Sequence, residues 1–243
     1  LHFDNGSAVV YKPRPVDKEV WWSGFHEWCE SHEIPIVYVP KAIERTNYGW
    51  SQCLIVESYE PVSPQAFFFN SGVLLFWLWL TNSRDAVASN IMCVGEQPYL
   101  VDSETTFYPV NCSSNEALEK TGYLPINGTG NKITRSGLAL RSNQFHEIRI
   151  AKLIFNKIEF GRERARVSHT QNTPKFDIHF TTEQRFESLS KGFIHTYLSV
   201  LSNRRALQSE HFKLADRNRL RGRFVYRATA VYGEIMLHQP LML

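Results

Sequence analysis

The stretch that most limits what this chain can become is residues 66–80. Behind Pro64, the side chains of Phe67, Phe68, Val73, Leu74, Leu75, Trp77, Leu78 and Leu80 cover nearly every face of a helix that Thr81-Asn82-Ser83 ends. A helix that is apolar all round has to be buried all round. A membrane span needs roughly 20 apolar residues. This run is about 15 residues long and carries Asn70, Ser71 and Gly72, so it reads as a core helix. With 243 residues the chain has room for one large domain or two small ones, either able to enclose such a core.

Hydrophobic residues at 43% and charged residues at 21% are globular values, which excludes disorder and fibrous repeats. The chain opens Leu1-His2-Phe3-Asp4 with no Met, basic region or apolar run, so no targeting peptide is visible and a start inside a longer gene product is expected. Cys29, Cys53, Cys93 and Cys112 make no C-x-x-C pair. A reducing, cytoplasmic setting is therefore expected.

Asn5-Gly6 is a turn dipeptide between Phe3 and the run 7–11, so the chain starts as a hairpin whose second strand delivers Lys12. Pro13 and Pro15 stop that strand. Asp17 is placed to cap a helix with Val20, Trp21, Phe25 and Trp28 turned inward. Residues 34–39 and 52–57 read as strands, with a bend at Asn47-Tyr48-Gly49-Trp50. After the buried helix come a polar loop, 84–90, and a hairpin of 91–94 and 99–101. Residues 148–160 and 176–180 are strand-like. Phe186, Leu189, Phe193, Tyr197 and Leu201 mark an amphipathic helix, and a last helix is expected over 229–237. Helices mixed with short antiparallel strands define an α+β fold class.

The net charge of +3 is unevenly spread: residues 1–110 hold 6 Lys/Arg against 13 Asp/Glu, and residues 111–243 hold 21 against 11. The second half should attract anions, most of all around Arg217, Arg219, Arg221, Arg223 and Arg227. A solvated charged face is an equally open reading of that run. The aromatic groups Trp21, Trp22, Trp28 and Phe67, Phe68, Phe69 fall at buried-helix spacing, which favours core packing over base stacking, and no nucleic-acid partner is expected.

The chemistry lies in an ordered set of polar residues. Lys12 ends an early strand, Asp85 and Asn90 sit five apart in the polar loop, and Asp102 follows the short hairpin. A strand lysine neutralises nucleotide phosphates, a loop aspartate orients or deprotonates a hydroxyl, and an asparagine with a second aspartate offers hard oxygens to Mg²⁺. For one triphosphate to be shared, the Lys12 amine and the Asp102 carboxylate should lie within roughly 10 Å. The loop lacks H-R-D, and Asp102-Ser103-Glu104 replaces D-F-G, so this is not an ordinary protein kinase.

Tyr11-Lys12-Pro13-Arg14, Tyr48-Gly49-Trp50, Asp85-x-x-x-x-Asn90, Asp102-x-Glu104-Thr105-x-Phe107, Gly192-Phe193-x-x-x-Tyr197 and Arg227-x-Thr229-x-x-Tyr232 occur in the order seen in class II lanthipeptide synthetases. The chain resembles the dehydratase domain of that family over essentially its whole length. The resemblance implies a lipid-kinase-like, two-lobed catalytic core truncated at the N-terminus, with a partial N-lobe in 1–60 and a C-lobe in 61–243. It also implies ATP- and Mg²⁺-dependent phosphorylation of Ser and Thr in a precursor peptide, then elimination of phosphate. Carried over by motif, Lys12 binds phosphate, Asp85 is the catalytic-loop acid, and Asn90 and Asp102 are Mg²⁺ ligands. Arg223 and Thr229 match the elimination pair, and Glu104 belongs to the same catalytic motif set. Val87 stands where the family's D-x-H-x-x-N pattern has histidine. A longer N-terminal region and a zinc-dependent cyclase domain are expected in the parent chain. A phosphotransferase without elimination and a non-catalytic peptide-binding module are the alternatives.

Overall fold

A computed structural model describes residues 1–4, 7–54, 63–109, 118–124, 136–138, 145–154, 157–166, 180–212 and 220–221. The chain begins as the expected hairpin: His2 bridges Ala8, and the Val9 N–H donates to Leu1 O. The return arm continues as β1 (Val9–Lys12), which Pro13 and Pro15 terminate by withholding N–H donors. With β2 (Ala42–Glu44) and β3 (Gly49–Gln52) it forms an antiparallel sheet of order β1-β3-β2, in which Lys12 faces Gly49 and Tyr11 faces Trp50. The Tyr11 ring lies 5.0 Å from Trp50 and 5.7 Å from Tyr48. A Cβ on Gly49 would stand 2.2 Å from Val16 Cγ2, so a glycine here lets the sheet close on the start of the first helix.

That helix, α1 (Asp17–Ser31), buries Trp22, Phe25, Trp28 and Cys29. The stripe is displaced from the expected one: Val20 is exposed, and Trp22 is buried because its indole N–H finds Thr106 Oγ1 at 3.0 Å. Asp17 does not cap α1; Val16 takes that position without a side-chain bond. Residues 34–39 form no ladder; they meet the rest through one parallel bridge, Tyr38 to Tyr99, and through bonds from the Leu100 N–H to Tyr38 O and from the Trp77 indole N–H to Pro35 O.

The core helix α2 (Pro64–Leu80) is capped by Ser63, which accepts from the Ala66 N–H, and every residue from Ser71 to Leu78 is buried. Among the described residues no helix is long and apolar enough to cross a membrane. Cys29, Cys53 and Cys93 are free thiols. After a 3₁₀ turn (Ala88–Asn90), β4 (Ile91–Val94) and β5 (Gln97–Leu100) pair through Gly95-Glu96, with Gly95 at φ +58°. This turn is tighter than the sequence implies, and β5 starts two residues early. The strand-like run 148–160 falls on two paired antiparallel strands, β6 (Phe145–Ile154) and β7 (Lys157–Arg166). The helices α3 (Thr182–Ser202), begun by a Thr181/Gln184 capping box, and α4 (Arg204–Glu210) follow. Of the expected strand 176–180 only Phe180 is described, and it is in no strand; the expected helix at 229–237 lies outside the described residues.

α3 packs on α2 along a stripe its apolar pattern matches only in part: Leu189 and Phe193 do pack against the core, but the fully buried positions are others. Its buried stripe is Ser188, Gly192, Thr196 and Val200, while Phe186 is 71% exposed and Ile194, Tyr197, Leu198 and Leu201 are exposed too. The cause is backbone contact: a Cβ on Gly192 would lie 1.9 Å from Phe69 O, and one on Gly72 2.0 Å from Leu189 O. Large side chains cannot occupy that seam. Gly192→Ala should therefore cost about 1–3 kcal/mol of stability through overpacking, measured by urea unfolding, whereas Ile194→Ala on the outer face should cost under about 0.5 kcal/mol.

Candidate active site

The prolines that end β1 turn the chain straight into α1, so Lys12, Arg14 and the first helical turn are crowded together. Lys12 Nζ donates to Glu19 Oε1 at 3.0 Å and to Val101 O at 2.7 Å. Arg14 Nη2 donates to Glu19 Oε1 at 2.6 Å and to Asp102 Oδ1 at 2.5 Å, and Arg14 Nε lies 3.2 Å from Glu104 Oε2. Lys18 Nζ donates to Glu104 O at 2.5 Å. Three cations thus face three carboxylates across β1, α1 and the segment after β5. The contacts of 3.0, 2.6 and 2.5 Å link the Lys12 amine to the Asp102 carboxylate in series, which puts the two groups inside roughly 10 Å.

Burial sets the electrostatics. The Glu19 side chain is 1% exposed, whereas that of Asp102 is 33% exposed. Burial alone would raise the Glu19 carboxyl; the hydrogen bond from Arg14 and the charges of Lys12 and Arg14 together outweigh it and hold Glu19 below its ordinary range. Burial also holds the Lys18 ammonium below the usual lysine range, against the pull of Glu104 and Glu19.

The second group of expected residues adjoins the first through the backbone. Asp85 is exposed, at φ +60°, and Asn90 Nδ2 donates to Asp85 O at 2.8 Å and to Asp85 Oδ2 at 3.2 Å. The Val101 N–H donates to Asn90 O at 2.9 Å, which brings Asn90 beside the residue preceding Asp102. The Arg84 N–H donates to Thr105 Oγ1 at 3.1 Å and the Thr105 hydroxyl donates back to Arg84 O, while the Phe107 N–H donates to Thr81 O. The segment 102–107 is therefore pinned to the loop that carries Asp85. Val87 is half-buried, bridges Ser136, and has Cγ1 3.3 Å from where a Gly122 Cβ would lie.

Arg223 and Thr229 lie outside the described residues, as do Arg217, Arg219 and Arg227. Arg221 is described, and it is not free to meet anions. Its Nε and Nη2 grip Asp17 Oδ2 and Oδ1 at 2.7 and 2.8 Å, and it also bonds Glu44 and Thr46 O. One member of the basic run is spent holding the start of α1.

Sequence reasoning missed Glu19, Lys18 and the role of Arg14. A signal for Glu19 existed: it sits three residues before Trp22 on the buried stripe Glu19, Trp22, Phe25, Cys29, where an unpaired charge is not tolerated. Asn90 and Asp102 suit Mg²⁺ by donor chemistry. Among the described residues Asp102 Oδ2 has no protein donor, since Arg14 and the Glu104 N–H both take Oδ1. No three His, Cys, Asp or Glu side chains among the described residues are set to hold a metal ion. A two-ligand set completed by phosphate and water is the usual Mg²⁺ arrangement.

The comparisons with known proteins agree with the motifs. The chain belongs to a family described as a domain of unknown function, DUF4135, which it matches over residues 1–240. It is 21% identical over 267 residues to the lacticin 481/lactococcin biosynthesis protein LcnDR2 of Lactococcus lactis subsp. lactis, a match that covers 96% of this chain and 28% of that protein. The resemblance to class II lanthipeptide synthetases is borne out by these matches. The chain spans little more than a quarter of that relative's length.

The pH dependence follows from Glu19. Its folded pKa is depressed, so its contribution to stability is complete above the ordinary glutamate value of 4.5 and is lost as pH falls through the lower folded value. Urea unfolding between pH 7 and 3 should show stability falling at the acid end. Glu19→Gln, already neutral, should be less stable at pH 7 and show a shallower acid limb.

Proposed function

We propose that this chain supplies the phosphotransfer core of a lanthipeptide-biosynthesis enzyme that dehydrates Ser and Thr of a precursor peptide by ATP-dependent phosphorylation and phosphate elimination. The observation that carries this reading is the network joining Lys12, Glu19, Arg14 and Asp102 beside the Asn90–Asp85 hydrogen bonds. A kinase-like core of two lobes, 1–60 and 61–243, accords with a small sheet and α1 meeting the 85–102 region through Lys12–Val101 and Tyr38–Tyr99.

In this reading Lys12 is oriented by Glu19 and Val101 O, which take two of its three N–H bonds and leave the third for a nucleotide phosphate. Asn90 and Asp102 would hold Mg²⁺, which would supply charge neutralisation at the phosphates. Asp85, exposed at the loop, accepts the proton of the substrate hydroxyl as its oxygen bonds to the γ-phosphorus and ADP departs. Elimination then removes the proton α to the peptide carbonyl and expels phosphate from the β-carbon, leaving dehydroalanine or dehydrobutyrine. Arg223 and Thr229 act in this step, where a guanidinium stabilises the leaving phosphate. The partner is the precursor peptide, and ATP use places the work in the cytoplasm.

Mass spectrometry of the precursor peptide tests the division of labour in the full-length protein that carries this chain. Asp102→Ala should abolish both phosphorylated and dehydrated product, whereas Arg223→Ala should accumulate phosphopeptide. Equal loss of both products in both variants would refute the reading.

Val87 offers a separate test. Valine can neither hydrogen-bond Asp85 nor donate to a phosphate oxygen, so Val87→His should raise the phosphorylation rate by up to about 10²-fold. No increase in an active parent would mean that this chain works without the histidine.

A further inference from the structure

Arg14 closes the Tyr11-Lys12-Pro13-Arg14 motif without a role assigned to it, yet its guanidinium is the meeting point of the site. Nη2 bonds Glu19 Oε1 and Asp102 Oδ1, Nη1 bonds Pro15 O at 2.9 Å and Glu19 Oε2 at 3.4 Å, and Nε faces Glu104 Oε2. Its side chain is only 18% exposed. Resting on the Mg²⁺·ATP reading above, we propose that Arg14 is a positioning residue for the metal: it grips Asp102 by Oδ1 so that Oδ2 points outward to the cation.

A carboxylate free to rotate would present either oxygen and lose entropy on binding. Here Oδ1 is held from two sides, by Arg14 Nη2 at 2.5 Å and by the Glu104 N–H at 3.2 Å. The same nitrogen, Nη2, touches Glu19, which orients Lys12, so one rigid planar group sets the metal ligand and the phosphate-binding lysine against each other. A lysine could not do this, because a single ammonium cannot span Glu19, Asp102 and Glu104 with fixed geometry. Charge alone argues the other way. Removing a cation from beside Asp102 would make the site more negative and strengthen its pull on Mg²⁺. Positioning and simple charge therefore make opposite predictions.

The test uses the full-length protein that carries this chain, with a non-hydrolysable ATP analogue as probe and calorimetry as readout. Binding is measured in EDTA and across a Mg²⁺ titration for wild type, Arg14→Gln and Arg14→Lys, with circular dichroism confirming folding. Both variants should raise the Mg²⁺ concentration for half-maximal binding by about tenfold or more, in the range expected when a group that orients a metal ligand is removed. Metal-free binding should change by less than the Mg²⁺ requirement does, because Lys12 keeps its own bonds to Glu19 and Val101 O in both variants. If Arg14→Gln does not fold, Arg14→Lys, which keeps the charge, decides the matter. An unchanged or lowered Mg²⁺ requirement in the folded variants, or an equal loss of metal-free and metal-dependent binding, overturns the proposal. A wild-type protein that binds the analogue at no Mg²⁺ concentration overturns the Mg²⁺·ATP reading itself and the role of Arg14 with it.

Discussion

Glu19 is a carboxylate almost wholly removed from water, and its ionisation is tolerable only because Lys12 and Arg14 both reach it. The effective cost of burying such a charge is several kcal/mol when it is left unpaired. The end of β1 and the start of α1 are therefore tied together, because separating them would leave Glu19 buried and unpaired. The two residues before Glu19 extend the same constraint. Lys18 reaches the backbone of Glu104, and Asp17 is gripped by Arg221 and so fastens residue 221 to the first turn of the chain's first helix. Three consecutive residues thus hold together the sheet, the segment after β5 and part of the basic region.

Around this polar centre the motifs acquire separate physical jobs. Gly49 leaves room for Val16, while Tyr48 and Trp50 flank the Tyr11 ring one residue before Lys12. In the segment 102–107, Asp102 and Glu104 face Arg14, Thr105 clamps Arg84 by both its N–H and its carbonyl, and Phe107 packs its ring 4.9 Å from Trp21. Gly192 brings α3 against the backbone of α2. Each of these roles is structural in its immediate effect, and those of Gly49, the segment 102–107 and their partners bear on residues that the proposed chemistry needs.

The basic second half of the chain is not a uniform surface for anions. Arg221 is committed to Asp17 and Glu44, so its charge is balanced within the fold and contributes little to attracting phosphate. The acidic excess of the first half is in turn partly a set of internal partners: Glu19, Asp102 and Glu104 all answer cations of the first eighteen residues.

How much of this the amino-acid order could reveal depended on the range of the interaction. The buried helix, its start at Pro64, the opening hairpin and the 84–90 loop were legible because each follows from neighbouring residues: apolar periodicity, a proline at a helix start, a turn dipeptide. The candidates Lys12, Asp85, Asn90 and Asp102 were legible from motif order. What only the tertiary structure decided was pairing across the chain. Arg14 could be counted from the sequence, but not that it meets Asp102, 88 positions away, nor that Arg221 meets Asp17, 204 positions away. The buried face of α3 was misread in part for the same reason, since Leu189 and Phe193 do reach the core while Phe186, Tyr197 and Leu201 do not bury. Apolar content predicted that Phe186 and Leu201 would turn inward, but a seam where Gly72 and Gly192 bring two backbones together admits only small side chains. Periodicity states which residues share a face; only the distance to the neighbouring backbone decides which face can be buried.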